Sequence, residues 1–507
     1  MIVAYQSSDL LQAVSRNTSN QIALYGADIS LTYAELNAAV SRQAKAWGSL
    51  MAELGGAPYP TMALAVENHP VWIVLDLAAM ACGIPLVPLP FFFSPAQWLH
   101  AMRDAGVSIL VTDQPQLFEP LLTGNILNAS QIELAGKVLT QFELRHIERT
   151  ILPDNTAKIT YTSGTTGNPK GVCLSNENML NVARSIATAT GLSSGDVHLS
   201  VLPLATLLEN VAGVYATLLV GATCILLPNH EIGLSGASGL DIRKLLATLK
   251  YTQASTAIVT PELLHALVLC IEAGESTSGH LRFLAVGGAS VSPALLERAK
   301  KLQIPVYEGY GLSECASVVA LNTPASNKIG AVGKPLPHIQ VSFTREQEIV
   351  VNGNAYLGYV GQAQAQDNCV HTGDIGELDQ DGYLIITGRK KNIFITSFGR
   401  NVSPEWVERE LKITPCIAQA ALFGEAKPWN VAVIVPRHDA SDQQVEDAIQ
   451  GLNARLPDYA RIKRWIRADA PFSTKNQQLT SNGRNRRDVI LQNYQDKINA
   501  LYEGTPA

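Results

Sequence analysis

Short apolar runs of strand length alternate with runs of helix length along most of this chain, and that alternation limits the fold more than any other feature. Thr61–Val66 reads as a buried strand, Pro70–Ala81 as a helix, Ile84–Pro88 as a strand, Ser94–Asp104 as a helix and Ser108–Thr112 as a strand. The pattern returns downstream, with helix Asp241–Leu249, strand Ala257–Val259, helix Pro261–Glu272, strand Leu281–Val286, helix Pro293–Lys301 and strand Pro305–Tyr307. Strands joined through helices must run parallel, and helices then cover both sheet faces. Thr32-Tyr-Ala-Glu35 reads as a capping box opening a helix that runs to about Trp47. The Gly- and Ser-rich stretch Ile232–Leu240 reads as an exposed loop. At 507 residues the chain is too long for one core.

Between the strand-like runs Ala157–Tyr161 and Gly171–Leu174 lies Thr162-Ser-Gly-Thr-Thr-Gly-Asn-Pro-Lys170. Glycine lets backbone N–H groups turn toward an anion, the hydroxyls donate hydrogen bonds and the lysine adds a point charge. Thr162, Ser163, Gly164, Thr165, Thr166, Gly167 and Lys170 therefore form a candidate phosphate cradle. It is not a Walker A loop, because Pro169 precedes Lys170 and Gly171 follows it. Farther on, Gly287-Gly-Ala289 follows a strand and bares its backbone, which suits a flat ligand such as adenine.

With four later motifs, Tyr310-Gly-Leu-Ser-Glu314, His371-Thr-Gly-Asp374, Gly388-Arg-Lys-Lys-Asn392 and Gly399-Arg-Asn-Val-Ser-Pro404, the loop resembles the adenylate-forming superfamily of acyl-CoA synthetases, non-ribosomal peptide adenylation domains and luciferase. The resemblance runs from about Leu31 to about Arg487. It implies an α/β fold: a large N-terminal domain of stacked, mostly parallel sheets with flanking helices over 1–388, a hinge at 389–392 and a small mobile α+β domain over 393–507. It implies that a carboxylate attacks the α-phosphate of ATP to give an acyl-adenylate, which a thiol then consumes. ATP, Mg²⁺ and coenzyme A are the implied cofactors. Lys170, Glu314 and Arg484 take catalytic roles by resemblance, with Thr166 and Glu314 on Mg²⁺. Gly288, Ala289, Glu308, Gly309, Tyr310, Gly311 and Ser313 fall at the nucleotide, Asp374 and Arg389 at its ribose or phosphates, and Gly399 in the segment that moves in for the second half-reaction. Asn392 takes the hinge position, where asparagine tolerates unusual backbone angles. Ser403-Pro404-Glu405 reads as a helix N-cap, first-turn proline and first-turn acid.

Two departures mark this chain. Arg484 stands where the family commonly has a catalytic lysine, with Lys475 as the candidate of a shifted register. Arginine grips carboxylate or phosphate bidentately and is no neutral swap for an ammonium. Thr206 stands where many acyl-CoA synthetases have histidine, which alters the wall of the acid pocket. Thr206, Asn210 and Gly287 are the candidate pocket residues, beside the apolar run Val211–Leu219. Leu202-Pro-Leu204 offers no carboxylate for an α-ammonium, so amino acids are disfavoured. The expected substrate is a medium- or long-chain fatty acid or a similar carboxylic acid, and the expected acceptor is coenzyme A. A carrier protein presenting the same thiol arm, and a poorly active nucleotide- or acyl-adenylate-binding relative, remain the alternatives.

A net charge of −6 gives no reason to expect nucleic acid or anionic lipid as a partner. Seven cysteines lie singly, without a CxxC pair, so reduced thiols in a cytoplasmic protein are expected. Val71–Phe93 is apolar enough to suggest a membrane span, but Gly83, Pro85, Pro88 and Pro90 break it, and no signal peptide is expected at Met1–Asp9.

Overall fold

The computed structural model describes residues 9–17, 20–53, 60–145, 150–162, 169–235, 239–277, 279–362, 365, 367–437, 440–480 and 483–503. Two large sheets dominate. In the first, strands Lys158–Thr162, Leu86–Pro88, Thr61–Ala65 and Val107–Thr112 run parallel at the centre. In the second, Val306–Tyr310, Phe283–Val286, Thr256–Val259, Val197–Leu199, Thr223–Ile225 and Ile22–Tyr25 do the same. The margins of both sheets are antiparallel: most are joined by short links that cannot make a parallel crossover, and Gly358–Tyr359 adds to the edge of the first sheet from far along the chain. A third sheet, from Gln340–Phe343, Glu348–Asn352, Cys369–Leu378 and Leu384–Arg389, is antiparallel throughout.

Side-chain alternation sets the layers. Met62 and Leu64 point into a core shared by both large sheets, while Ala63 and Ala65 face the outer helix carrying Trp98. Helices Tyr33–Glu53, Pro70–Cys82 and Asn176–Ala189 fill the space between the sheets. Pro70–Cys82 is buried at every position, which explains an apolar run that mimics a membrane span. Among the described residues no helix is long and apolar enough to cross a membrane. Thr32 and Glu35 close the expected capping box: the Thr32 N–H donates to Glu35 Oε2 at 2.8 Å, and the Glu35 N–H donates to Thr32 Oγ1 at 3.2 Å. A separate apolar cluster joins Phe394, Val402, Val407 and Leu411 to strands Ile417–Phe423 and Asn430–Pro436 and helix Asp442–Asn453.

Two expectations need correction. Ile232–Leu240 is not wholly exposed loop: Leu234–Ser235 pairs antiparallel with Gly239–Leu240, and Ile232 is fully buried. Ile232 anchors the start of this segment in the core despite its Gly/Ser composition, Leu240 is exposed, and 236–238 lie outside the described residues. Ser403 does occupy the N-cap of helix Pro404–Lys412, yet its side chain makes no capping bond to the backbone, because its hydroxyl donates instead to Glu405 Oε2 at 3.5 Å.

One buried charge ties the layers together. Lys158 Nζ donates to Asp76, to Asn210 Oδ1 and to the Tyr215 hydroxyl at 2.9 Å, and the Tyr215 hydroxyl donates to Asp76 Oδ2 at 2.7 Å. Burial pulls the Lys158 pKa down, and Asp76 opposes that shift. All three ammonium donors are used, so the ion is satisfied. Asp76→Ala leaves that ammonium unpaired and should destabilise the large domain by about 3–5 kcal/mol. The double variant Asp76→Ala/Lys158→Met should recover most of the loss, read as the urea midpoint of each variant.

Candidate active site

The first large sheet delivers the phosphate segment. Strand Lys158–Thr162 turns into strand Lys170–Leu174, with Thr162 and Lys170 register partners. Ser163, Gly164, Thr165, Thr166 and Gly167 lie outside the described residues. Thr162 and Lys170 face a cleft of about 3080 Å³ that runs between the large sheets and the C-terminal segment. Such a volume exceeds the few hundred to about 1,000 Å³ of a single small-ligand site.

The second large sheet supplies the opposite wall. Gly287, Gly288 and Ala289 follow strand Phe283–Val286, and Glu308, Gly309 and Tyr310 end the neighbouring strand Val306–Tyr310. Gly288 has φ +83°, and a Cβ there would meet nothing within 4 Å, so its bare backbone opens on the cleft. Gly311 has the reverse reason to be glycine: a Cβ would lie 1.5 Å from the Ser317 carbonyl oxygen. Ser313 and Glu314 sit on the short 3₁₀ turn Ser313–Cys315 and also line the cleft.

Asp374 is buried at the centre of this wall. Tyr310 donates its hydroxyl to Asp374 Oδ2 at 2.6 Å, and Arg389 Nε donates to Oδ1 at 2.8 Å. Burial, then the Asp374 charge, push the Tyr310 phenol well above its ordinary pKa, so it stays a donor. The side chain of Tyr310 is thus committed to Asp374. Glu308 is buried as well; desolvation raises its pKa to about 7, while the Val291 N–H and Arg409 oppose the shift.

Residues of the C-terminal segment line the remaining side of the cleft. Arg484 lies at the mouth and donates from Nη2 to the Gly288 carbonyl at 3.1 Å. Desolvation by the cleft walls, then repulsion from Arg389, lower its pKa, and Asp374 opposes this. Lys475 is exposed and does not line the cleft, so geometry favours Arg484 of the two candidates. Sequence reasoning missed two further crossing contacts. Arg409 Nη1 donates to Ser290 Oγ, and Ser292 Oγ to Glu410 Oε2 at 3.4 Å. No local pattern could have flagged them, since each joins residues more than a hundred positions apart.

Other candidates are placed differently. Thr206 lines the cleft with Leu207, Leu208 and Ala212, and its hydroxyl is turned back to the Pro203 carbonyl at 2.7 Å. Asn210 is corrected: it does not line the cleft but is buried against Lys158 and Asp76. The cause is the wide π-helix Leu208–Tyr215, which turns Asn210 inward beside Glu209. Most of the apolar run Val211–Leu219 likewise packs into the core rather than the cleft. Glu209 is fully buried and accepts from His198 Nε2 at 2.8 Å, Ser200 Oγ at 3.0 Å and the Leu202 N–H at 3.0 Å. Gly399 has φ +72° in the link between strands Phe394–Ile395 and Asn401–Val402, outside the cleft lining and next to the exposed Phe398. Asn392 lines the cleft without a positive φ, and its amide donates to Glu405 Oε1.

A magnesium ion fits the donor chemistry through Glu314. Tyr359 donates its hydroxyl to Oε1 at 3.0 Å, and Oε2 keeps its acceptor capacity among the described residues. Those residues hold no group of three or more His, Cys, Asp or Glu side chains able to cage a metal.

The model of the AMP-binding enzyme family matches residues 11–359, and that of the AMP-binding enzyme C-terminal domain matches 391–506. The long-chain-fatty-acid–CoA ligase FadD15 of Mycobacterium bovis is 26% identical over 85% of this chain and 86% of its own. A feruloyl-CoA synthase of an Amycolatopsis species is 29% identical over 85% and 88%. Among solved structures, the O-succinylbenzoate coenzyme A synthetase of Bacillus subtilis, in complex with ATP and magnesium ion, superposes with a TM-score of 0.75 at 25% identity, over 95% of this chain and 99% of that one.

The buried Glu308 sets a pH dependence. Its folded pKa, about 7, lies above its ordinary 4.5, so the stability it allows is fully present below about 4.5 and is lost as pH rises through about 7. Glu308→Gln should flatten that slope, measured by urea unfolding of both proteins across this window.

Proposed function

This chain belongs to the AMP-binding enzyme family, and from that premise we propose that it is an AMP-forming CoA ligase acting on a medium- or long-chain fatty acid. The reading rests on one observation above the others: Lys170, Glu314, Asp374, Arg389 and Arg484 all line one cleft against the bare Gly287–Ala289 backbone.

The nucleotide lies along Gly287–Ala289 and Tyr310–Gly311, with its ribose toward Asp374. Lys170 and the Thr162–Gly167 segment hold the β- and γ-phosphates. Glu314 and Thr166 would hold Mg²⁺, which would supply charge neutralisation on the phosphates. A carboxylate oxygen of the acid attacks the α-phosphorus, the bond to the bridging oxygen breaks, and pyrophosphate leaves with the electron pair. Arg484 stabilises the charge that builds between acid and phosphate. The thiol of coenzyme A then loses its proton and attacks the acyl carbonyl, and AMP departs. Leu207, Leu208 and Ala212 offer the apolar side of the acid pocket, and no cleft carboxylate awaits an ammonium at Leu202–Leu204. The division into 1–388, a hinge at 389–392 and 393–507 is supported by the junction of the two family matches and by the separate apolar cluster that starts at Phe394.

Pyrophosphate release from MgATP across fatty, aryl and amino acids, with and without coenzyme A, tests the whole reading. Release with a fatty acid, and acyl-CoA formed when coenzyme A is added, is the expected result. Preference for an aryl acid would replace the fatty substrate, and release without acyl-CoA would direct the acyl group to a carrier protein. Lys170→Ala and Glu314→Ala should each cut release by about 10²–10³-fold. Arg484→Ala should slow adenylation more than transfer from preformed acyl-adenylate, and equal losses in both steps would remove Arg484 from the first.

A further inference from the structure

Tyr359 touches both charged groups of the phosphate end of the cleft. The Lys170 ammonium lies 5.3 Å above the centre of its ring, and its hydroxyl donates to Glu314 Oε1 at 3.0 Å. Its backbone is fixed next to Lys170. Strand Gly358–Tyr359 pairs with Lys170–Leu174, placing Tyr359 opposite Val172, and the Val360 N–H donates to the Gly171 carbonyl at 2.9 Å. The fit is close, since a Cβ on Gly171 would lie 2.6 Å from Val360 Cγ2. Tyr356 braces the ring edge from 4.9 Å at 60°, and its own N–H donates to the Glu314 carbonyl at 2.8 Å. Ring, strand and 3₁₀ turn therefore move as one unit.

Lys170 and Glu314 flank this single ring yet form no ion pair with each other among the described residues. An ammonium and a carboxylate this near would close on each other if nothing stood between them, and each would then be spent. The aromatic face holds the cation without neutralising it, and the hydroxyl takes only one carboxylate oxygen. We propose that Tyr359 is a positioning residue: a spacer that keeps the phosphate-binding lysine and the cation-binding glutamate apart, aimed and uncommitted before MgATP arrives. The proposal rests on the roles of Lys170 and Glu314 given above.

Calorimetric titration of ATP into the full-length protein, with and without Mg²⁺ and with no acid present, reads this without turnover. Tyr359→Phe keeps the ring and loses only the hydroxyl. It should weaken ATP binding in the presence of Mg²⁺ by about tenfold and leave binding of metal-free ATP unchanged. Tyr359→Leu should weaken both, because Lys170 then pairs with Glu314. Circular dichroism melting checks that each variant is folded, and the near-isosteric Phe variant decides alone if the Leu variant is not. Lys170→Ala and Glu314→Ala serve as controls. If they bind MgATP normally, the roles of those two residues are wrong; if they fail while both Tyr359 variants bind like the parent in both conditions, the spacer is overturned.

Discussion

The Lys158 ammonium is the constraint on which the rest of the structure depends. It sits on the strand that leads into the phosphate segment, and its partners come from elsewhere: Asp76 from the helix between the sheets, Asn210 and Tyr215 from the π-helix beside the acid pocket. A buried cation tolerates no slack, because every lost partner leaves a donor without solvent. Phosphate strand, central helix and pocket helix are thus held in one arrangement by groups that never reach the cleft. Glu209 repeats the device one residue earlier, binding the same helix to His198 and Ser200 on the second sheet. Two adjacent residues of one π-helix therefore bind it to two different sheets, and the wide turn lets neighbours face different partners.

The cleft runs on the opposite electrostatic logic. Asp374 accepts one hydrogen bond on each oxygen, from Tyr310 and from Arg389. A carboxylate has about four lone-pair sites, so one further acceptor position remains on each oxygen. Two free acceptors on a carboxylate already oriented by protein donors match the two hydroxyls of a vicinal diol without rearrangement. Arg389 and Arg484 repel each other, and Asp374 lies between the effects, attracting both. An anion bound beside them would relieve that repulsion, so the pair of guanidinium groups favours a negatively charged ligand.

Much of this was legible in the sequence, for physical reasons. Strand and helix positions followed from apolar period and caps: Asp241, Ser292 and Ser94 each cap the helix that follows. The bare Gly287–Ala289 backbone was legible as a place of close approach, and Gly288 does open on the cleft, whereas the clash of a Cβ at Gly311 with the Ser317 carbonyl was not. What stayed hidden depends on turn geometry or on distant pairing. Asn210 reads as a pocket residue only on an ordinary helix, and no local pattern announces a π-helix. Ser403 has the right residue type for a cap, yet its hydroxyl goes to the Glu405 carboxylate rather than to the helix backbone. Tyr359 lies in a two-residue strand that no periodicity could reveal, and its role depends on register with a strand nearly two hundred residues earlier.

Arginine at position 484 shapes how the C-terminal segment meets the Gly287–Ala289 backbone. A lysine ammonium has three donors at one point, and a donation to a carbonyl would hold that point at the carbonyl. The guanidinium has five donors spread over a plane, so Arg484 can bond the Gly288 carbonyl through one nitrogen and still present others to the cleft. Arg409 and Glu410 meet the same loop at Ser290 and Ser292. All three contacts fall within the five residues 288–292, the first of them inside the Gly287–Ala289 wall expected to face adenine. The C-terminal segment and that loop are therefore held against each other by three side chains, and through them the Arg484 guanidinium keeps its place over the Gly288 backbone.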